Sequence, residues 1–286
     1  MEKSKHGKYE RRSKPNILLI LLCLLFLGTA IFSGYKVVTI SLEYRKGEQA
    51  YEELQQYIQL PENPATQSTK PDPDQPSKPA PSHTPSGTLP DGLTGLDSEA
   101  NYVSPVDFEA LWKLNPDVVG WIYIPDTTVN YPIVQGETND TYLYHLFNGV
   151  YNRSGSIFMD FRNAADYTDA NTIIYGHHMG DGTMFADIVK YKKQAYYDAH
   201  PTGFLFTPDQ TFELTFFTAY VTDTTDDAWC MNFSSDEDYA DWLRDSAARS
   251  EFRAGILPTL SDQLLTLSTC TYEFDDARFV LVATMK

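Results

Sequence analysis

The stretch from Pro15 to Tyr35 constrains this chain more than any other. No charged residue lies between Lys14 and Lys36, and Ile17-Leu18-Leu19-Ile20-Leu21-Leu22-Cys23-Leu24-Leu25-Phe26-Leu27 is apolar throughout. About 20 helical residues, each rising ~1.5 Å, cross a hydrocarbon core of ~30 Å. Residues 15–35 are therefore predicted to form a transmembrane helix. Lys3, Lys5, Lys8, Arg11, Arg12 and Lys14 precede it, against only Glu2 and Glu10. That positive bias places residues 1–14 in the cytoplasm and the rest of the chain outside. A cleaved signal peptide is the alternative. The run is long for a signal-peptide core and no small-x-small cleavage site comes after it, so an uncleaved signal anchor is expected.

Composition divides the remaining residues into three parts. Over residues 36–60, Ile40, Tyr44, Gly47, Tyr51, Leu54 and Ile58 recur every three or four positions and predict a helix with a narrow apolar stripe. It is either a juxtamembrane stalk or a helix that docks on the folded domain. Residues 61–103 hold Pro61, Pro64, Pro71, Pro73, Pro76, Pro79, Pro81, Pro85 and Pro90 among Ser, Thr, Asp and Lys. Such a segment cannot bury enough apolar surface to offset its ordering entropy, and it reads as a linker. A flexible coil of about 40 residues spans roughly 35 Å.

Residues 104–286 have the composition of a folded domain. Helices are expected at Asp107–Leu114, Met184–Tyr197 and Ser234–Arg249, the last opening on a Ser234/Glu237 capping box. Short apolar strands are expected at Val119–Ile124, Val129–Val134, Ser156–Asp160 and Thr172–Tyr175. Gly203–Thr207 and Thr211–Thr222 flank Pro208-Asp209 as a hairpin, and two more strands close the chain. Many short strands, few helices and frequent turns predict a mostly antiparallel β-barrel. Net charge is −17, and with the basic tail set aside the remainder is more acidic still. An acidic body argues against nucleic-acid binding, which needs a basic face.

Three residues at strand edges carry the candidate chemistry. Thr266-Leu267-Ser268-Thr269-Cys270 ends one strand, Arg278 opens the next, and Tyr175-Gly176-His177-His178 ends an upstream one. A thiolate is the working nucleophile, so a cysteine of ordinary pKa needs a neighbouring base or cation. An imidazole can supply it and later protonate a leaving amine. A guanidinium offers five fixed donors to a developing oxyanion. Strand parity tests the grouping. If the last two strands pair with Cys270 opposite Arg278, their side chains share a face and Thr271–Ala277 is left as a wide acidic loop. A tight turn at Asp275-Asp276 would send the two side chains to opposite faces. Ser268 and Thr269 either line the substrate groove or are strand residues satisfied by the backbone. The chain has three cysteines, which argues against a disulfide framework, and Cys230 is expected to be a packing residue. His177, His178 and His200 have no Cys or carboxylate at ligand spacing, so no metal site and no cofactor is expected.

In combination, Thr266–Cys270, Arg278 and Tyr175-Gly176-His177-x-Met179 resemble the sortases, cysteine transpeptidases of bacterial cell surfaces, and class B most closely. The similarity extends over Asp107–Lys286 and includes Asn115–Ile122, Tyr131–Gln135 and Asp181–Phe185. The resemblance implies an eight-stranded barrel with an extra helix, Ser234–Arg249, before the cysteine strand. It implies Cys270 as nucleophile, His177 as the residue directly after Tyr-Gly, and Arg278 as their partner. By the same resemblance, a sorting signal of the Asn-Pro-x-Thr or Leu-Pro-x-Thr kind is cleaved after Thr, held as a thioester and passed to an amine. That amine belongs to a cell-wall precursor or a pilin lysine. His178 stands where class B often has Asn, and no acidic third member is carried over after Cys270. Two alternatives remain: a surface cysteine protease using the same residues, and a non-catalytic surface module.

Overall fold

The structure, a computed structural model, describes residues 17–60 and 102–286. The expected basic tail 1–14 and nearly all of the expected linker 61–103 lie outside the described residues. Residues 1–45 and 46–286 form two separate compact units.

The first unit is most of helix α1, Ile17–Glu52. Leu21, Leu24, Leu25, Phe26 and Phe32 are all exposed. It is the one helix among the described residues long and apolar enough to cross a membrane. A helix with so apolar a surface is suited to lipid, where its backbone bonds are already satisfied internally.

The second unit is a closed barrel of eight strands. They are β1 Val118–Tyr123, β2 Asn130–Val134, β3 Ile157–Met159, β4 Asn171–Tyr175, β5 Thr202–Phe206, β6 Thr211–Thr222, β7 Gln263–Cys270 and β8 Arg278–Met285. Their order around the barrel is β1-β2-β3-β4-β7-β8-β6-β5. β2–β3 and β4–β7 pair parallel and the other neighbours pair antiparallel, so the barrel is mixed. The parallel β4–β7 pair sets two carboxyl-terminal strand ends side by side, which an all-antiparallel barrel would not do. Closure removes the exposed edges. Trp121, Ile122, Ile133, Phe206, Leu214, Phe216, Leu267 and Leu281 are buried.

The helices decorate this barrel. In α2, Phe108–Leu114, the Asp107 side chain caps the first turn by accepting from Ala110 N at 2.9 Å. The expected helix 184–197 is two pieces, a 3-10 turn over Ala186–Lys192 and α3, Gln194–Ala199. Lys193 between them is extended (φ −110°, ψ 124°), which breaks the helical hydrogen-bond run. Helix α4, Asp236–Ala248, is capped by Ser235, which accepts from Asp238 N at 3.1 Å. The cap is thus one residue later than expected, and Ser234 instead donates to the Asp238 carboxylate. Tyr239, Trp242 and Leu243 pack on Phe217, Leu264 and Val282.

Residues 46–60 join the barrel rather than standing apart from it. A Cβ on Gly47 would lie 3.1 Å from Ser154 Oγ, so the glycine permits close approach. Tyr51 and Leu54 are buried, and Ile58 bridges to Val106. Of the two readings of this helix, docking is the one these contacts match.

Candidate functional site

Three strands build the site. Cys270 is the last residue of β7 and Arg278 the first of β8, and they are register partners. Directly opposed residues in an antiparallel pair share a face. The loop between them is therefore Thr271–Ala277, closed by Thr271 N donating to Ala277 O at 3.1 Å. Asp276 takes a positive φ of 60° at its tip. The wide acidic loop demanded by parity is present.

On its other side, β7 runs parallel to β4, with Ile174 level with Leu267 and Tyr175 with Ser268. The same register continued for two residues brings His177 level with Cys270. Two bonds carry the alignment past the end of β4: Gly176 N donates to Ser268 O at 3.1 Å, and Thr269 Oγ1 donates to Gly176 O at 2.7 Å. Thr269 thus acts as a strand clamp, whereas Ser268 accepts from Trp229 Nε1 at 3.3 Å. Gly176 has a packing reason. A Cβ there would come within 2.5 Å of Ile157 and 2.7 Å of Phe185, so these buried side chains would have to shift.

The His177 ring is seated by the loop before β3. Its Nε2 donates to Leu143 O at 2.6 Å, and the ring stacks on Tyr144 with centroids 5.6 Å apart. A carbonyl accepts only, so this bond fixes the proton on Nε2 and leaves Nδ1 as the second ring nitrogen for chemistry. Leu143 is held in turn. Gly155, at φ +56°, passes so close that a Cβ would lie 2.4 Å from Leu143 O. Tyr51 Oη donates to Gly155 O at 2.7 Å and lies 3.1 Å from Ser156 Oγ. Sequence reasoning missed Leu143, Tyr144, Gly155 and this use of Tyr51. A backbone carbonyl carries no residue-type signal, and the Tyr51 contacts reach across 104 and 105 positions.

A pocket of about 300 Å³ holds His177, Ser268, Thr269, Cys270 and Arg278 together, with Asp140, Leu143 and Tyr175 also on its wall. All five residues expected at the site therefore meet in one cavity. Cys270 is a half-buried free thiol. His178 points elsewhere: its Nδ1 pairs with Cys270 O at 3.2 Å and its ring packs on Tyr272 at 5.4 Å. His200 sits apart, with Nδ1 against Pro125 O. Arg278 Nη1 donates to Ala277 O at 3.1 Å.

The acidic loop is tied down beside the thiol. Lys192 forms an ion pair with Glu273 and donates to Thr271 Oγ1 at 3.2 Å. Partial burial works to push the Glu273 carboxyl up, but hydrogen bonds from Lys192 and Thr271 outweigh it and hold the group down to about 2.

A thiol, an imidazole and a guanidinium on one cavity wall are suited to acyl transfer, and relatives decide the family. The Sortase domain family matches residues 122–286. The chain belongs to the class B sortases. Sortase B of Staphylococcus aureus is 34% identical over 269 residues, covering 93% of each chain. A solved S. aureus sortase B–substrate complex superposes with a TM-score of 0.60 at 40% identity, over 63% of this chain and 84% of that one. A sortase B complexed with triglycine gives 0.60 at 40% identity, over 63% and 85%. This sortase is accordingly a cysteine transpeptidase with the eight-stranded barrel of its class.

Proposed function

We propose that Cys270, His177 and Arg278 carry out a two-step acyl transfer on a sorting-signal peptide. The observation that carries the reading is their shared pocket, with Cys270 and Arg278 opposed in register and His177 two residues beyond the strand that runs parallel to the cysteine strand. His177 Nδ1 takes the thiol proton, and the thiolate attacks the carbonyl after Thr of an Asn-Pro-x-Thr or Leu-Pro-x-Thr signal. Arg278 faces the oxygen of the tetrahedral intermediate. His177 returns the proton to the leaving amine and a Cys270 thioester remains. An acceptor amine, from a cell-wall precursor or a pilin lysine, then displaces the thiol. Solved relatives hold a substrate and triglycine, which supports a peptide donor and an amine acceptor here. Ser268 and Thr269 form the floor on which the peptide lies. Residues 15–35 anchor the enzyme, residues 1–14 stay in the cytoplasm, and residues 46–60 dock on the barrel built from residues 104–286, so the 61–103 linker leaves and returns to that same unit. The juxtamembrane segment 36–60 connects anchor to linker.

The test is intact-mass analysis of the full chain in detergent, mixed with a panel of sorting-signal peptides and an amine. An acyl adduct and an amine-ligated product, both lost in Cys270→Ala, are expected. Cleavage without ligation under every acceptor would replace the transpeptidation scheme with hydrolysis.

A further inference from the structure

The pocket around Cys270 is electrically polarised. Arg278 is its permanent cation and, among the described residues on its wall, Asp140 is its carboxylate. Asp140 differs from the other acids near the site. Asp160 is saturated by Arg162, Tyr175 and Asn139, and Glu273 by Lys192 and Thr271. Asp140 is exposed and makes no hydrogen bond or ion pair among the described residues, although its backbone is held on both sides. Asn139 donates to Asp160 at 3.1 Å and accepts from Phe161 N at 3.0 Å, and Thr141 N donates to Thr138 O at 3.2 Å. The chain is thus held on either side of Asp140, whose carboxylate stands open to solvent at the rim of the pocket.

That charge does not suit the acyl half of the reaction. The tetrahedral oxygen is negative and belongs beside Arg278, so a carboxylate across the pocket must be set away from it. What suits a carboxylate is a cation, and the second substrate is one. A primary amine reaches the site at neutral pH as an ammonium ion. We propose that Asp140 receives the acceptor's ammonium group, so that the enzyme selects amines that arrive charged. This rests on the transpeptidase reading above and names the residue that binds its second substrate. In the transfer step, the amine nitrogen bonds to the thioester carbon and the carbon–sulfur bond breaks, its electron pair returning to Cys270 Sγ. The ammonium gives up two protons: one passes through His177 to the departing thiolate and the other leaves to solvent. Asp140 holds the nitrogen on the Leu143 side of the pocket while this occurs.

The experiment compares acceptors of different charge on the full chain in detergent, starting from the preformed thioester. Triglycine amide and Nα-acetyl-lysine amide are cationic, whereas hydroxylamine is uncharged at neutral pH. In Asp140→Asn the ratio of the rate with a cationic acceptor to the rate with hydroxylamine should fall about tenfold, the size of a partly desolvated charge-assisted hydrogen bond. The fall should appear in KM for the amine, and Asp140→Glu should recover most of it. Asp209→Asn removes the same charge from a distant exposed turn and should leave the ratio alone. Whichever cationic acceptor loses more identifies the amine as a peptide terminus or a lysine side chain. An unchanged ratio in Asp140→Asn, or an equal fall in Asp209→Asn, overturns the assignment. If wild type forms no thioester with any peptide, the transpeptidase scheme itself is what fails.

Discussion

Cys270 and Cys230 are both half-buried free thiols, and each lies on a pocket that also reaches Tyr175 and Arg278. By exposure and by sharing a guanidinium they look alike. They differ in what else faces them. Cys270 ends a strand whose parallel neighbour leads into His177, and the two residues share one pocket. Cys230 sits in the segment after β6, where its Sγ donates to Asn232 O at 3.0 Å. Burial pushes its thiol up, and the nearby Asp238 and Asp227 carboxylates push the same way. The lesson is that a shared arginine does not make a nucleophile. A base brought into the same pocket does.

The most severe way to break that comparison is to exchange the fates of the two thiols. Cys270→Ala should lower transpeptidation by about 10⁴-fold or more, the usual scale for losing a covalent nucleophile. Cys230→Ala should stay within about twofold, because it removes one weak hydrogen bond from a loop. Rates of product formation with a fixed peptide and amine decide it. A large loss in Cys230→Ala with a normal melting temperature would put both thiols in the chemistry.

Removing the base should make the two thiols converge. His177→Ala should cost about 10²–10⁴-fold in kcat/KM, the contribution of a positioned acid/base. It should also slow alkylation of Cys270 at neutral pH toward the rate of Cys230, measured by peptide mapping of the labelled sites. Should Cys270 stay faster than Cys230 by the wild-type margin, Arg278 rather than His177 would be what activates the thiol.

Much of this contrast was legible in the sequence because it rests on strand arithmetic. Setting Cys270 opposite Arg278 satisfied the parity of a shared face and left the seven-residue loop Thr271–Ala277 that the barrel contains. The hairpin at Pro208-Asp209 and the apolar face of α4 came from local pattern in the same way. What was not legible is the support for His177. Leu143 O and Gly155 act through backbone position, and Tyr51 reaches them from another part of the chain. The α4 cap also slipped by one residue, since adjacent Ser234 and Ser235 offer the same local chemistry. The break at Lys193 was hidden because short 3-10 and α pieces share one apolar spacing.

The seat of His177 gives a smaller, sharper test. Tyr51→Phe keeps the ring edge-on to Tyr131, 5.3 Å between centroids, and deletes only the hydroxyl that holds Gly155 and Ser156. A buried carbonyl left without its donor should lower stability by about 1–2 kcal/mol. Thermal unfolding measures that part. If the Tyr51–Gly155–Leu143 contacts position His177, kcat for thioester formation should also fall a few-fold at a temperature where the variant is fully folded, with peptide KM nearly unchanged. A stability loss with normal kcat would reduce Tyr51 to packing.

The smallest effect concerns the loop that separates Cys270 from Arg278. Glu273 is held down to about 2 in the folded state, below its ordinary value of 4.5. A depressed carboxylate contributes its tethering fully above the unfolded value and loses it as pH falls toward the folded one. The Lys192–Glu273–Thr271 tie should therefore hold at neutral pH and weaken between about 4.5 and 2. Glu273 is 41% exposed, so solvent screens the pair and the change in global stability should be slight. Local order should respond more than stability, because Tyr272 and Phe274 on the same loop are 78% and 50% exposed and bury little. Protection of the 271–277 amides, taken relative to intrinsic exchange at each pH, should fall on acidification in the wild type. In Lys192→Ala, protection should already be low at neutral pH and change little with acid. Equal acid sensitivity in both proteins would mean that the backbone closure at Thr271 and Ala277 sets the loop, and that the register of Cys270 and Arg278 needs no side-chain clamp.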